Sequence, residues 1–246
     1  MTDLERRRVQ AASFGAVADV YERARPTYPA EAIDWLLPPG ARRVVDLGAG
    51  TGKLTRGLVD RGLSVVAVEP SAGMRRELAE ALPGVTLLAG TAEEIPLPAG
   101  SVDAVVAGQA WHWVDPVRAV PEVARVLAPG GQLGLVWNIR DERVDWVAEI
   151  TRIIHTPEHS DNGSLAPPVG PPFGPVERFD VEWGKPMRPQ EIIEMLSSRS
   201  YIITMTEGER SAVLARVRHL LDTHPALGGA PEITMPYVTR CSRARL

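Results

Sequence analysis

Cysteine is almost absent from this chain: among 246 residues the single thiol, Cys241, has no partner for a disulfide, and nothing calls for an oxidising compartment. A reducing cytoplasm is the expected setting. Also missing is any run approaching the eighteen or so apolar residues that a membrane helix needs. The opening MTDLERRRVQ carries three consecutive arginines without the apolar stretch of a signal peptide, and reads as a solvated terminus. Basic charge is not in excess: 27 Lys and Arg against 31 Asp and Glu give a net charge of −4, the wrong sign for tracking nucleic-acid phosphates. No internal repeat stands out. Aromatic residues are only 5% of the chain, yet six of them are Trp, three at Trp111, Trp113 and Trp137.

What is present is alternation. At roughly 150 residues per domain, one elaborated domain spanning residues 1–246 is expected. From Ala41 short apolar strands alternate with amphipathic helices, the pattern of βαβ units and a parallel sheet. The strands expected are 43–47, 64–69, 85–89, 102–107 and 132–137, and runs such as Val65 to Val68 are apolar on both faces, as a helix-covered parallel strand requires. The helices expected between them are 52–61, 71–82 and 116–127. Ser71 is placed to cap the second, along which Met74, Leu78 and Leu82 form a stripe, and Pro129-Gly130-Gly131 follows the third. Beyond Trp137 the regularity ends. A helix over 144–154 leads into a Pro- and Gly-rich loop over 156–175, then a strand near 176–183, helices near 189–198 and 207–223, and a closing strand near 233–239. Pro236 within that last strand suggests an edge or a bulge.

The sharpest local feature is Asp46-Leu47-Gly48-Ala49-Gly50-Thr51-Gly52, closing the first strand and opening the first helix. Glycines there let a ligand approach the backbone without Cβ interference, at the strand edge where doubly wound sheets bind nucleotides. Glu69, at the end of the second strand, stands where an acid holds ribose hydroxyls in such folds. A dinucleotide fingerprint would place its packing glycine at Lys53, and Asp46 would repel a pyrophosphate. A ligand carrying an ammonium and a sulfonium suits that acid better, and S-adenosylmethionine (SAM) has both and no phosphate. The plain alternative is a tight strand-to-helix turn.

Together, VVDLGAGTG at 44–52, VEPSAGM at 68–74, AGTAEEIPLPAGSVDAVVAGQAWHWVD at 89–115 and RVLAPGGQLGLVWN at 125–138 resemble the class I SAM-dependent methyltransferases. The likeness is to the small-molecule branch containing trans-aconitate and ubiquinone/menaquinone methyltransferases, and it covers residues 14–140. It implies an α/β, doubly wound, mostly parallel seven-stranded Rossmann-like sheet. A helical cap would occupy 1–40, a SAM-binding core 41–140, and a substrate-covering region with an insertion after the fifth strand 141–246. It implies that Asp46, Gly48, Ala49 and Gly50 face the methionine moiety, that Glu69 binds the ribose, and that Pro70, Ser71 and Met74 flank the adenosine. Thr91, Ala92 and Glu93 would lie at the adenine edge. Many relatives have Asp where this chain has Thr91, so Glu93 or Glu94 is the expected substitute. Gln109 and Ala110 would border the methyl group, and Tyr21, Arg25 and Tyr28 would close the pocket from the segment 14–29. For Met74 a core position is the competing reading, and for Tyr21 and Arg25 an exposed helix face.

Methyl transfer from a sulfonium is an in-line displacement, so alignment and exclusion of water come first, and a base is needed only where the acceptor must lose a proton. His112, following the fourth strand, is the candidate base; a packed or capping histidine is the alternative. Trp111 and Trp113 would wall an acceptor or pack as core, and Trp137 lies on the same sheet edge. Arg140 or Arg25 is a candidate anchor for a carboxylate acceptor, against an ordinary surface role for each. His155 and His159 flank the helix-breaking Pro157 with no third ligand near, so no metal is expected. The function expected is transfer of a methyl group from SAM to a small organic acceptor, a carboxylate or phenol among them, with O- or N-methylation favoured and S-adenosylhomocysteine (SAH) as product. The protein would act as a monomer or homodimer, with neither nucleic acid nor membrane as partner. An NAD(P)-linked oxidoreductase and a non-catalytic SAM-binding module are the alternatives.

Overall fold

In the structure, a computed structural model describing residues 26–154 and 167–246, the apolar runs form the middle of one seven-stranded sheet. β1 (Arg43–Leu47), β2 (Ser64–Val68), β3 (Thr86–Leu88), β4 (Val102–Gly108) and β5 (Leu127–Arg140) are parallel. β6 (Glu177–Met187) and β7 (Ile233–Arg245) complete the order β3-β2-β1-β4-β5-β7-β6, with β7 antiparallel to both its neighbours. The order reverses between β1 and β4, which puts the crevice for a ligand outside the carboxyl ends of those two strands.

Helices α1 (Ala30–Leu36), α2 (Lys53–Val59), α3 (Ala72–Ala81) and α4 (Pro116–Val126) cover this half. Their ends follow the local chemistry. The Ser71 hydroxyl accepts from the Met74 N–H at 3.4 Å at the start of α3, and Asp115 Oδ1 accepts from the Val117 N–H at 3.0 Å at the start of α4. Met74, Leu78 and Leu82 are 4%, 0% and 8% exposed, so the expected stripe is a buried one.

The remaining helices, α5 (Asp145–Ile154), α6 (Pro189–Ser197), α7 (Ser200–Ile203) and α8 (Glu207–Thr223), lie against the far ends of β6 and β7. They bury a second core, including Trp146, Ile150, Met195, Leu221, Met235 and Tyr237. β7 joins the two regions, with Ile233, Met235 and Tyr237 in this core and Cys241 and Ala244 packed in the clusters of the parallel half. No helix among the described residues is long and apolar enough to cross a membrane.

β5, β6 and β7 each run at least three residues beyond their expected length. Pro129-Gly130-Gly131 does not end pairing: the register jumps from Val102↔Leu127 to Ala104↔Gln132, and β5 continues past this irregularity to Arg140. The arginines that disguise the end of β7 are paired across to β6, Arg240 with Asp180 at 3.3 Å and Arg243 with Glu177 at 2.7 Å. Their charge is compatible with a strand because that partner strand supplies carboxylates. Pro236 is not on an edge strand, since β7 lies between β5 and β6. The β5 ladder ends at Arg140↔Tyr237, one residue short of it, and the Pro236 carbonyl accepts from Asp141 N–H at 3.0 Å. The missing N–H thus interrupts no β5–β7 pairing within the register.

Candidate functional site

The loop joining β1 to α2 turns its amides inward. Gly48 and Ala49 N–H both donate to the Val68 carbonyl, at 2.8 and 3.2 Å, Gly52 N–H donates to the Ala49 carbonyl at 2.9 Å, and Gly50 N–H donates to Glu69 Oε2 at 2.9 Å. These four amides are bonded within the protein and form no cradle for a pyrophosphate, which opposes the dinucleotide alternative. The close approach is real: a Cβ on Gly48 would stand 2.7 Å from Ala110 Cβ, and Gly48 has φ +70°.

Two buried acids face this loop. Glu69, 7% exposed, holds Gly50 N–H with one oxygen and Ser71 N–H with the other at 2.8 Å. Burial raises its pKa, while those backbone bonds and the Arg75 charge oppose the shift. Asp46, 1% exposed, accepts the Thr55 hydroxyl on Oδ2 at 2.6 Å, but Oδ1 is buried and has no partner. Burial and the neighbouring Glu69 charge push its pKa up to about 7 against the pull of Thr55. A buried carboxylate with an unmet oxygen is stabilised by an incoming cation.

The cleft encloses about 470 Å³ of empty space, some of it open to solvent. Asp46, Gly48, Ala49, Gly50, Gln109 and Tyr28 line it, all expected site residues. So do residues that sequence reasoning missed: Pro26, Thr51, Lys53, Leu54, Gly108 and Asn138. A polar side chain at the carboxyl end of an apolar strand was the available signal for Asn138. Gln109 has φ +57°, a left-handed backbone that is strained for a side chain; it is held by its N–H to Val136 O and its Nε2 to Asn138 O, both at 2.9 Å. Gly108 is needed because a Cβ there would lie 2.6 Å from the Tyr28 hydroxyl.

Other expected residues are not among those that line the cleft. Thr91 pairs with Glu94 through reciprocal backbone bonds of 3.3 Å, and Ala92 is 4% exposed in the sheet core. Glu93 Oε1 accepts from Asp115 N–H at 2.8 Å, so that oxygen ties the turn to the start of α4 instead of standing open at a ligand edge. Pro70 carbonyl takes the Arg75 guanidinium at 2.7 Å. His112 sits on the 3-10 turn Trp111–Trp113, half-buried, its ring 4.5 Å from that of Trp113.

Trp111 and Trp137, 2% and 3% exposed, are packed among Val45, Val105 and Leu135. Both are enclosed as core side chains, which for Trp111 is the second of its two readings. Arg140 is also buried, at 7% exposure: Nη2 reaches the Thr151 hydroxyl at 3.4 Å, and Nε and Nη1 have no partner. That excludes the surface alternative. Tyr21, Arg25, His155 and His159 lie outside the described residues.

A family model described as a methyltransferase domain matches residues 45–135, the stretch from the glycine loop through β5. An uncharacterized methyltransferase of Mycobacterium tuberculosis is 56% identical over 98% of each chain. An uncharacterized methyltransferase-like protein of Schizosaccharomyces pombe is 34% identical over 91% of each. Among solved structures, a candidate type II methyltransferase from Anaeromyxobacter dehalogenans superposes with a TM-score of 0.68 at 25% identity, covering 90% of this chain and 97% of that one. With the inward-turned glycine loop, the paired acids and the strand order in place, the chain belongs to the methyltransferase family.

Proposed function

We propose that the cleft binds SAM and that the enzyme transfers the methyl group to oxygen or nitrogen of a small organic acceptor, leaving SAH. The observation that carries this reading is Asp46 Oδ1, a buried carboxylate oxygen without a partner in the cleft that the glycine loop lines. When bound, SAM supplies an electrophilic methyl on a positively charged sulfur. Asp46 compensates positive charge on the amino-acid side, and Glu69, fixed by two backbone N–H groups, presents its remaining lone pairs to ribose hydroxyls. Pro26 and Tyr28 cover the cleft and narrow the access of water.

An acidic acceptor is the favoured class within this reading. Arg140 lies two residues beyond Asn138 on the same face of β5, and its buried Nε and Nη1 are charged donors without a partner, each available to an anionic acceptor. His112 is the group we assign to proton removal where the acceptor needs it. We place the enzyme in the cytoplasm, where the buried Cys241 thiol stays reduced.

The test is calorimetric titration with SAM, SAH and NADH side by side, followed by detection of SAH release with acids, phenols and amines. Micromolar binding of the first two without NADH, and turnover with an acid, support the reading. NADH binding alone overturns it, and SAH binding without turnover on any acceptor favours a non-catalytic module.

A further inference from the structure

Behind the cleft, a chain of side-chain hydrogen bonds crosses three strands. Trp183 Nε1 on β6 donates to Thr239 Oγ1 on β7 at 2.7 Å, and Thr239 Oγ1 donates to Asn138 Oδ1 on β5 at 2.6 Å. Asn138 Nδ2 then donates to the Thr27 carbonyl at 2.9 Å. Asn138 and Thr239 are opposite each other in the β5–β7 register, and both are buried, at 5% and 0% exposure.

The direction of this chain is fixed by chemistry. An indole N–H only donates, so Thr239 must accept it, and the one hydroxyl hydrogen is left for Asn138. Asn138 must therefore turn its carbonyl oxygen to Thr239 and its amino end to Thr27. An amide with two near-equivalent orientations is reduced to one, and that one grips the backbone between Pro26 and Tyr28, both of which line the cleft. Asn138 also holds the strained Gln109 through its backbone carbonyl.

We infer that Asn138 is a positioning residue that latches the 26–28 segment over the cofactor cleft, and that Thr239 and Trp183, on strands outside the parallel half, set its orientation. None of the three needs to touch the reacting atoms. The latch itself is independent of the ligand; its effect on affinity rests on the cofactor reading above.

Two measurements on the full chain separate these. In hydrogen exchange, Thr239→Val, which keeps the shape and removes the hydroxyl, is expected to speed exchange over residues 27–31 at least severalfold, with Thr239→Ser restoring protection. In calorimetry, Thr239→Val is expected to weaken SAH binding about tenfold, Thr239→Ser to recover it, and Trp183→Phe to fall between. Unchanged exchange over 27–31 in Thr239→Val overturns the latch, whether or not SAH binds. Faster exchange with SAH affinity equal to that of the wild type overturns its role in binding. Failure of the wild-type protein to bind SAH, with the exchange effect present, leaves the latch standing and removes the cofactor reading. Equal behaviour of the valine and serine variants shows that general packing, not the hydroxyl, is responsible, and overturns the inference.

Discussion

Thr55 gives its hydroxyl hydrogen to one oxygen of Asp46 at 2.6 Å and leaves the other oxygen with nothing. That single bond does not offset the burial, and Asp46 keeps its proton up to a pH of about 7. The folded pKa lies above the ordinary carboxylate value of 3.8, so between these limits the folded state binds more protons than the unfolded state, and stability falls as pH rises. The loss is complete once the pH has passed about 7. Urea unfolding of wild type and Asp46→Asn at pH 5 and pH 8 checks this: the variant should gain on the wild type at the higher pH. A cationic ligand should reverse the trend, with affinity rising towards pH 7 and a proton released on binding at pH 6, read from calorimetry in two buffers of different ionisation enthalpy.

Glu69 joins the glycine loop to the start of α3 by charged bonds to Gly50 and Ser71. Each bond to a charged group contributes about 1.5 to 3 kcal/mol. Glu69→Ala should lower the unfolding free energy of the ligand-free protein by at least one such increment and weaken SAM binding as well. Glu69→Gln, which would turn an NH₂ towards one of the two amides, should rescue little of either. Thermal melting with and without SAH separates the two effects, and unchanged affinity in both variants would remove the ribose assignment.

Arg140 carries a buried charge met only by the Thr151 hydroxyl. Replacing such a group by an apolar one is often neutral or stabilising, whereas breaking a satisfied buried pair costs about 3 to 5 kcal/mol. Arg140→Leu should therefore melt at or above the wild-type temperature, bind SAH normally, and lose turnover on acids. A fall in stability of the larger size would mark Arg140 as structural.

For His112 the informative variant is His112→Ala, assayed for SAH affinity, stability and turnover together. Lower turnover with the other two intact assigns a proton-transfer role. Loss of folding would instead make the half-buried ring against Trp113 a packing element.

The parallel half of the sheet was legible because its residue types answer to local demands. Gly48 answers to the positive φ of its own turn, and Ser71 caps the helix it begins. Trp111 and Trp137 were ambiguous, since an indole suits a core and an acceptor wall equally and only enclosure decides. The place of Asn138 at the end of an apolar strand was legible, but its bonds were not, because its partners are 101 residues away at Thr239 and 111 away at Thr27. The full length of β7 was hidden for a similar reason: Arg240 and Arg243 look like solvent-facing loop until the acids of β6 are beside them.

The strand order also imposes a timetable. β6 is synthesised before β7 but has no neighbour in the sheet except β7, and β5 stands as an open edge until the same strand arrives. A chain still emerging from the ribosome can assemble the glycine loop, Glu69 and Gln109 while lacking Thr239. Unpaired β5 is then the segment most exposed to pairing with another chain, and shielding by a chaperone would matter most in that interval. Seating β7 closes the vulnerable edge and turns the Asn138 amide towards Thr27 in a single event, so protection from misassembly and readiness to hold a ligand arrive together.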